Sequence, residues 1–408
     1  MRLRTIVAAA FAALMACNST ARADEVIRVG LIDPMSGAFS VAGRLGEQHF
    51  RFAIEKANAG PLAGTGKRLD LTIYDNEVSP EKSLTMLRKA IDDGVHYIVQ
   101  GNGSNVAFAL SDAVAKHNKR EPNRAVLYLN YAAVDPSLTN DKCNWWHFRF
   151  DADSDMKMHA LTDYLVTQKD LHKVYVFNMD YSFGAAVERG AVSMVKDRRP
   201  DLQVVGVERI PMGKIKDFTP YIAKFQAAGA DTIITGNWGP DLSLLVKAAA
   251  DTGYKGRFLT YYLGSRDVVS EIGIAGKGAA IVGVFYDNID QPLVRQWTTE
   301  FEKRYDNTFG SWTAITSMMM LAESIKKAGS SEPLPVSKAM SGLTWDSPLG
   351  PITMRGENHQ MLQPMFVAAL DTGMAHVFPD VPLGFRGIGR IEGKDTAMAT
   401  TCQFPNAP

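Results

Sequence analysis

The stretch 95-VHYIVQGNGSNVAFALSDAVAKHN-118 joins a short apolar run, two glycines and a longer run with helical spacing. The apolar run ends at Gln100, and Gly101 and Gly103 separate it from the helical pattern. This order predicts a buried β-strand that turns directly into an α-helix, which is the unit of a parallel sheet covered by helices. The first turn of such a helix leaves backbone N–H groups free. The stretch therefore predicts a fold class and also a place where an anion could bind.

The same strand-turn-helix order recurs along most of the chain. The β-rich runs lie at 26–32, 69–75, 95–100 and 124–130 in the first half, and at 173–179, 202–210, 231–237 and 257–263 in the second. Helical patterns separate them at 44–58, 80–92, 105–118, 153–168, 184–198, 217–228 and 240–252. Two comparable arrays in one chain predict an α/β protein with two lobes, each built on a doubly wound parallel sheet.

The last third of the chain departs from this rhythm and predicts how the lobes are connected. It contains a strand candidate at 279–287, helical patterns at 291–306 and 311–328, a proline-rich break at 331–336, and strand candidates at 350–355 and 364–370. The segment is too short for a third domain, so we expect it to cross back between the lobes and form a hinge beside a cleft. The predicted boundaries are 24–148 with about 286–362 for lobe 1, 149–285 with about 363–385 for lobe 2, and 386–408 for a C-terminal tail.

Residues 1–23 have the features of an export signal. Two arginines precede an apolar run at 6–16, and the small-x-small pattern at 21–23 fits a signal-peptidase site. The run of about 11 residues is too short to cross a bilayer. Lipoprotein processing at Cys17 is the alternative. Either route predicts export, and we expect the mature protein to be periplasmic.

Composition and cysteine content limit the partners. Lys plus Arg and Asp plus Glu both number 44, so the formal net charge is zero and nucleic acid is not a predicted partner. Once the export signal is removed, Cys143 and Cys402 remain. In an oxidising compartment such a pair predicts a disulfide between the middle of the chain and its C-terminal tail, and two free thiols are the alternative.

Motifs for the common catalytic chemistries are missing from the sequence. The eight histidines form no HExxH pair, Ser182 is not flanked as GxSxG, and 101-GNGSNV-106 lacks the third glycine of a dinucleotide-binding turn. No Walker lysine follows a glycine-rich loop, and two scattered cysteines are too few for a zinc site. We therefore predict a protein that is not an enzyme and binds neither a cofactor nor a metal.

The loops that follow the predicted strands differ between the two halves. Those of the first half are small and polar, whereas those of the second half are aromatic. Open α/β sheets bind ligands at the carboxyl ends of their strands, where these loops would meet. A helix N-terminus opposite aromatic side chains suits a ligand with an anionic end and an apolar body. The loops are 33–43, 101–105, 130–138, 180–184, 236–241 and 261–267.

At these loops the sequence resembles the periplasmic branched-chain amino-acid-binding proteins, which are the type I solute receptors of ABC importers. The resemblance runs through 27-IRVGLIDPMSGAFSVAG-43, 131-YAAVDPSLT-139 and 178-NMDYSFGAA-186 and covers nearly the whole mature chain. It implies a type I periplasmic binding protein fold whose two lobes close on a small ligand through a hinge crossed several times. It also implies that a membrane permease is the partner of the liganded form, and we expect the receptor to act as a monomer.

The resemblance also separates the two ends of the ligand. In the family the ligand carboxylate is held by a serine and by backbone amides at the loop that matches 103–105, where Asn105 takes the serine's place with Ser104 beside it. The family's ammonium site uses a carbonyl and a threonine in the loop that matches 131–138, with an acidic residue from the second lobe. The residues of that loop are Tyr131, Ala132, Ala133 and Val134, with Val134 at the threonine position.

The acidic position of the family falls at Tyr262 or Leu263 in this chain. Burying an ammonium group without acceptors costs several kcal/mol, so we predict poor binding of α-amino acids. An aromatic monocarboxylate of the benzoate or cinnamate type is the predicted ligand, because aromatic rings pack favourably on other rings. The alternatives are a receptor for branched-chain or other amino acids or amides, and a sensory receptor subunit. The aromatic candidates are Phe39, Tyr181, Phe183, Trp238 and Tyr262.

Overall fold

The computed structural model describes residues 24–404 and 407–408. The predicted export signal at 1–23, including Cys17, lies outside the described residues. The strands of the first half are β1 (Glu25–Asp33), β2 (Lys67–Asp75), β3 (Tyr97–Gln100), β4 (Leu127–Asn130) and β5 (His147–Arg149). The later strands are β6 (Lys173–Met179), β7 (Gln203–Ile210), β8 (Thr232–Thr235), β9 (Arg257–Thr260), β10 (Ala280–Gly283), β11 (Thr344–Ser347), β12 (Gly350–Met354), β13 (Met361–Leu362), β14 (Met365–Asp371) and β15 (Gly384–Ile391).

The helices alternate with these strands along the first two thirds of the described chain, and the last three follow one another between β10 and β11. They are α1 (Ser40–Ala59), α2 (Pro80–Asp92), α3 (Ser104–Arg120), α4 (Ser154–Thr167), α5 (Ser182–Arg198), α6 (Thr219–Ala227), α7 (Pro240–Asp251), α8 (Arg266–Ile272), α9 (Pro292–Tyr305), α10 (Trp312–Ala328) and α11 (Pro333–Met340). No helix within the described ranges combines the length and the apolar character that a membrane span requires.

Two sheets define the two lobes, as the sequence predicts. The first sheet has five parallel strands in the order β2-β1-β3-β4-β5. The second has seven strands in the order β15-β14-β10-β9-β8-β6-β7, and β14 and β15 are antiparallel at one edge. A small third sheet pairs β11, β12 and β13. The predicted α/β class with two lobes is confirmed, and antiparallel pairing is confined in the large sheets to this edge.

Local signals explain why α2 has the bounds that the sequence predicts. The backbone N–H of Lys82 donates to Ser79 Oγ at 3.2 Å, so the serine caps the helix. Pro80 occupies the first helical position, where a missing N–H costs nothing. Glu81 follows in the first turn, where the helix dipole favours a negative charge.

The C-terminal third crosses between the lobes, as predicted. Helix α10 packs along α1 of lobe 1, and α9 is joined to α1 by ion pairs from Glu300 to Lys56 and from Arg304 to Glu55. Strands β14 and β15 then return to the second sheet. The residue ranges of the lobes remain a proposal, and the boundary set at 385 falls inside β15.

The predicted break at 331–336 is observed only in part, because α10 ends at Ala328 but α11 begins at Pro333, inside the predicted break. Pro333 stands at the first position of this helix and Glu332 precedes it in an extended conformation. Proline is compatible with the first helical turn, whose N–H groups have no partner within the helix. The proline-rich segment therefore separates α10 from α11 and also starts α11, a helix that the sequence analysis did not predict.

A fully buried arginine connects the segments that cross between the lobes. Arg149 ends β5, and its Nη1 donates to the carbonyl oxygen of Asp135 at 2.5 Å. Its Nε donates to Gln360 Oε1 at 2.5 Å, and its Nη2 lies 3.1 Å from Asp153 Oδ2 and also donates to Thr139 Oγ1. One guanidinium thus joins the first crossing, the loop after β4 and the strand pair that precedes β14.

The C-terminal tail is attached covalently to lobe 1. Cys143, in the loop before β5, forms a disulfide with Cys402, and their Cα atoms are 5.6 Å apart. Nearby, the backbone N–H of Thr401 donates to Asn140 Oδ1 at 3.2 Å. The chain that leaves β15 in lobe 2 therefore ends against lobe 1.

Candidate functional site

A cavity of about 470 Å³ lies between the two lobes, and its size suits a small organic ligand. It is lined by the loops that follow β1, β3 and β4 of lobe 1 and β6, β8, β9 and β10 of lobe 2. These are the carboxyl ends of parallel strands, where the sequence places the site. The predicted ligand-binding residues that line the cavity are Phe39, Ser104, Tyr131, Ala132, Ala133, Val134, Tyr181, Phe183, Trp238 and Tyr262.

Asn105 is the predicted residue that does not line the cavity. Its Oδ1 lies 3.0 Å from the position that a Cβ on Gly103 would take, and it has no hydrogen-bond partner among the described residues. Asn105 is the second residue of α3, and successive helical residues point about 100° apart. The structure therefore favours Ser104 instead of Asn105 as the side-chain donor for a ligand carboxylate.

The start of α3 offers hydrogen-bond donors to an anion. Gly103 precedes the helix with φ of 93°, a conformation that favours glycine, and no side chain caps the first turn. Ser104 is 2% exposed, and its Oγ accepts a hydrogen bond from the backbone N–H of Asp135 at 3.3 Å. No acceptor for its hydroxyl proton is observed among the described residues, so this proton can be donated to a ligand. The helix N-terminus and this hydroxyl together form an edge that favours a carboxylate.

A buried network behind this edge holds the loops of lobe 1 in place. Tyr131 donates through its hydroxyl to Asp33 Oδ2 at 2.7 Å and accepts from Asn102 Nδ2 at 3.0 Å. The backbone N–H of Asn102 donates to Asp33 Oδ1 at 3.2 Å. Burial raises the pKa of Asp33 to about 6, and these hydrogen bonds oppose the rise. Asp33 was not among the predicted residues, although its place at the end of β1 was a usable signal.

Aromatic side chains form the opposite wall of the cavity. Trp238 Nε1 donates to the Tyr181 hydroxyl at 2.8 Å, which fixes the indole. Phe183 lies edge-on to Tyr181, with ring centroids 5.8 Å apart, and 6.0 Å from the ring of Tyr262. Phe39 reaches across from lobe 1, and its ring centroid is 4.5 Å from that of Trp238. The two lobes are therefore in contact through these rings.

Two positions that contribute to the ammonium site in the family that the sequence resembles are occupied by different residue types in this chain. Val134 presents an apolar side chain to the cavity. Tyr262 lines the cavity and its hydroxyl lies 3.5 Å from the carbonyl oxygen of Ala132, whereas Leu263 is buried in the core of lobe 2. Of the two candidates for the acidic position, Tyr262 is thus the one that faces the cavity.

A buried ion pair in the cavity wall was not predicted from the sequence. Lys157 Nζ, on α4, lies 2.6 Å from Asp151 Oδ2, and both residues line the cavity. The two side chains are 2% and 8% exposed. Burial raises the pKa of Asp151, and the neighbouring Lys157 ammonium opposes the rise. The residues are six positions apart across a strand-helix junction, so no helical or strand spacing relates them.

Three further polar residues line the cavity and were also missed by the sequence analysis. Trp312 Nε1 and Thr308 Oγ1 are buried and have no hydrogen-bond partner among the described residues. Asp287, on the segment that crosses from β10 to α9, is 8% exposed and lines the same cavity. Burial raises its pKa to about 7, and Glu302 adds to the rise. Within the described ranges, no three His, Cys, Asp or Glu side chains come together as metal ligands.

The Asp287 carboxyl group makes stability depend on pH in a defined direction. Its pKa rises from 3.8 to about 7 on folding, so its contribution to stability is complete below pH 4 and is lost as the pH rises through 7. Asp287→Asn, which resembles the neutral acid, is therefore expected to raise the free energy of unfolding at pH 8 by roughly 2–4 kcal/mol. Urea denaturation of both proteins at pH 4 and pH 8 measures the difference.

The comparison has an internal reference and a control variant. At pH 4 the wild type and Asp287→Asn should differ by less than about 1 kcal/mol, because the folded carboxyl group is neutral there and the pH lies close to the ordinary pKa of 3.8 that the unfolded group keeps. The exposed residue Asp197 is replaced in the control, and Asp197→Asn is expected to change stability by less than about 0.5 kcal/mol at both pH values. An Asp287→Asn variant with the same difference from wild type at both pH values would contradict the assignment.

Comparisons with known proteins agree with this architecture. The family described as "Periplasmic binding protein" matches residues 26–375. The Leu/Ile/Val-binding protein homolog 4 of Brucella melitensis is 29% identical over 366 residues, which is 88% of this chain and 87% of that protein.

Two solved structures place the fold among proteins with known ligands. The closed leucine-, isoleucine-, valine-, threonine- and alanine-binding protein of Brucella ovis is 27% identical with a TM-score of 0.83, over 93% of this chain and 99% of that one. An ABC-transporter solute-binding protein of Rhodopseudomonas palustris BisB5 in complex with 3,4-dihydroxybenzoic acid is 17% identical with a TM-score of 0.79, over 93% and 99%. At that identity the second comparison shows the fold alone.

Proposed function

Because the chain belongs to the periplasmic binding protein family, and is a solute-binding receptor and not an enzyme, we propose that its ligand is an aromatic monocarboxylate of the benzoate or cinnamate type. The ligand would lie in the cavity between the lobes, and the lobes would close on it by a hinge motion. The proposed partner is the membrane permease of an ABC importer, and the proposed location is the periplasm. A monomeric state stays a prediction.

The arrangement of the cavity walls carries this proposal. Lobe 1 contributes the start of α3 with the hydroxyl of Ser104, which suits a carboxylate. Lobe 2 contributes the aromatic wall around Trp238, which suits a ring. A carboxylate attached directly to an aromatic ring, or through a short linker, places one group against each wall.

The amino-acid alternative is disfavoured by what surrounds the expected ammonium position. An ammonium group loses its hydration in a closed cleft and needs acceptors in return. Val134 and Tyr262 offer methyl groups and a ring instead of a threonine hydroxyl and a carboxylate. The carboxylate of Asp151, which does line the cavity, is already paired with Lys157.

The comparisons support both candidates in different ways. Solved neighbours in complex with 3,4-dihydroxybenzoic acid and with benzoate indicate that this fold accommodates aromatic acids. The Brucella ovis protein, which has higher identity to this chain, binds leucine, isoleucine, valine, threonine and alanine by its name. A branched-chain amino-acid receptor is therefore the second candidate, and a sensory receptor subunit is the alternative role for the same cleft.

A thermal-shift panel separates the two ligand classes. L-Leucine and 4-methylpentanoate form a matched pair, because they differ only in the ammonium group. Benzoate, 4-hydroxybenzoate and cinnamate test the aromatic proposal. We expect at least one aromatic acid to raise the melting temperature and leucine to raise it less than 4-methylpentanoate does, since a ligand that binds only the folded state stabilises it. Stabilisation by leucine or valine alone would overturn the proposal.

Ser104→Ala tests the carboxylate end of the site. Loss of a hydroxyl donor to a charged acceptor is expected to weaken the affinity for the best aromatic acid by roughly 10- to 100-fold. Isothermal titration calorimetry measures the change. Asn105→Ala is the matched control, because Asn105 follows Ser104 but does not line the cavity, and it should change affinity by less than about threefold. The reverse ranking of the two variants would assign the donor role to Asn105.

A further inference from the structure

We propose that Lys157 is a tethered cation that occupies a cation-binding cage of the cleft, so that the cleft excludes ligands with a positively charged group. The cage consists of Asp151, Tyr261 and Tyr262. This inference rests on the proposed function, because it assigns the rejection of ligand ammonium groups in the same cavity to one residue. It also concerns a site in its own right, since the cage can be tested without an aromatic acid.

The contacts of the Lys157 ammonium are those that proteins use to hold a cationic ligand. Its Nζ lies 2.6 Å from Asp151 Oδ2. The same nitrogen lies 5.1 Å from the ring centroid of Tyr262 and 5.8 Å from that of Tyr261. A carboxylate combined with aromatic faces is the arrangement that recognises alkylammonium groups. Here the protein supplies the ammonium from its own helix α4.

The cage faces the ligand cavity and not the solvent or a separate core. Asp151, Lys157, Tyr261 and Tyr262 all line the cavity between the lobes. The Lys157 side chain is 2% exposed, so its ammonium group has exchanged nearly all contact with bulk water for the cage. One hydrogen bond of the ammonium, to Asp151, is observed within the described chain, and an ammonium has three donors. The cage is therefore part of the wall that a ligand meets.

Electrostatics explain why a filled cage rejects a second cation. With Lys157 in place the charge of Asp151 is compensated, so the pair offers a ligand ammonium no net attraction. Any position beside Asp151 would also put that ammonium next to the like charge of Lys157, in a cavity of low dielectric constant. Displacing Lys157 is unfavourable, because a tethered group competes at a high effective concentration. Without Lys157, the buried carboxylate of Asp151 would lack its partner and would favour any cation that fits beside it.

A purely structural ion pair makes a different prediction from a filled cage. If the pair only supports the fold, a variant without the lysine ammonium is destabilised and a small amine in solution does not reverse the loss. If the pair fills a ligand-sized cage, Lys157→Ala leaves a space of about the side chain's length, beside an anion and under two rings. A primary alkylammonium of similar length should then bind in that space.

The experiment is chemical rescue of Lys157→Ala with n-propylammonium chloride. Thermal unfolding is followed at increasing propylammonium concentration, with sodium chloride at equal ionic strength as the reference. We expect a saturable rise in the melting temperature that recovers most of the loss caused by the substitution. Wild type, whose cage is occupied, should show no saturable rise from this site. Any rise that wild type does show measures amine binding elsewhere, for example near Asp287, and is the baseline for the variants.

Two control variants define the cage. Lys157→Met refills the space with an uncharged chain, and the double variant Asp151→Asn/Lys157→Ala removes the anion while leaving the space. Neither should respond to propylammonium beyond the wild-type response. No saturable response in Lys157→Ala, or an equal response in either control, overturns the proposal.

Lys157→Ser decides the question if Lys157→Ala does not fold. Its short side chain leaves most of the space open and leaves the charge of the Asp151 carboxylate uncompensated. Calorimetric titration with propylammonium is expected to show an affinity at least roughly tenfold above that of wild type. An unchanged affinity overturns the proposal. Because the probe is an amine and not a carboxylate, failure here leaves the binding of aromatic acids by the wild type as a separate test of the proposed function.

Discussion

Arg149→Met is expected to lower the free energy of unfolding by about 3–5 kcal/mol, which is the range for removal of one partner from a buried charge pair. The guanidinium is fully buried and bonds to Asp153, to Gln360 and to the carbonyl oxygen of Asp135. Methionine fills much of the volume but donates no hydrogen bond. The substitution therefore removes one donor from each of four buried acceptors, which are Asp153 Oδ2, Gln360 Oε1, Thr139 Oγ1 and the carbonyl oxygen of Asp135. Urea denaturation followed by far-UV circular dichroism measures the loss.

Lys224→Met is the matched control for this substitution. Lys224 Nζ lies 2.6 Å from Glu208 Oε1, which is as close as a buried pair, but its side chain is 51% exposed. Exposed pairs contribute little, so the control should lose less than about 1 kcal/mol. If both variants lost a similar small amount, Arg149 would not be the connection between the crossing segments that its contacts indicate.

Trp238→Ala is expected to weaken binding of the best aromatic acid by about 2–4 kcal/mol, or roughly 30- to 1000-fold. The indole is buried, donates to the Tyr181 hydroxyl and contacts Phe39 across the cleft. Its removal deletes a wall of the cavity and also the ring contact between the lobes. The affinity should fall mainly through faster dissociation, because a closed cleft retains its ligand. Stopped-flow fluorescence and calorimetry measure the two quantities.

Two other tryptophan variants distinguish the contribution of the Trp238 ring from that of its hydrogen bond, and from the nonspecific effect of removing a tryptophan. Trp238→Phe keeps an aromatic face but loses the bond to Tyr181, so its affinity should lie between those of wild type and Trp238→Ala. Trp345, on β11, does not line the cavity, and Trp345→Ala should alter affinity by less than about threefold. Full affinity in Trp238→Ala would remove the aromatic wall from the proposed site.

The fold was predictable where local signals and periodicity agreed. Helix α2 has its predicted bounds because Ser79, Pro80 and Glu81 all mark the same start. Strand β15 was missed because its sequence, 384-GFRGIGRI-391, contains three glycines and little alternation. Its pairing with β14, which includes a register shift, stabilises it as a strand. That stabilisation is a tertiary effect that no local pattern carries.

The site was predictable to the level of loops and less well to single side chains. Carboxyl ends of parallel strands meet at one edge, so the loops after β1, β3 and β4 had to converge. The choice between Ser104 and Asn105 depends on the phase of α3, which the glycines before it do not fix. Asp151 and Lys157 are ordinary charged residues in the sequence, and only burial in a shared wall gives them a role.

The disulfide between Cys143 and Cys402 determines with which lobe the C-terminal tail moves. Although β15 belongs to lobe 2, the tail beyond it is bonded to lobe 1. A dye or fusion partner attached after Cys402 therefore travels with lobe 1 when the cleft opens. A second dye can be attached at Asp251, on the exposed end of α7. Energy transfer between the two dyes then reports how the distance between the lobes changes on closure. Reducing the disulfide would leave only noncovalent contacts, such as the hydrogen bond from Thr401 to Asn140, to hold the tail on lobe 1, so such a sensor has to be used under oxidising conditions.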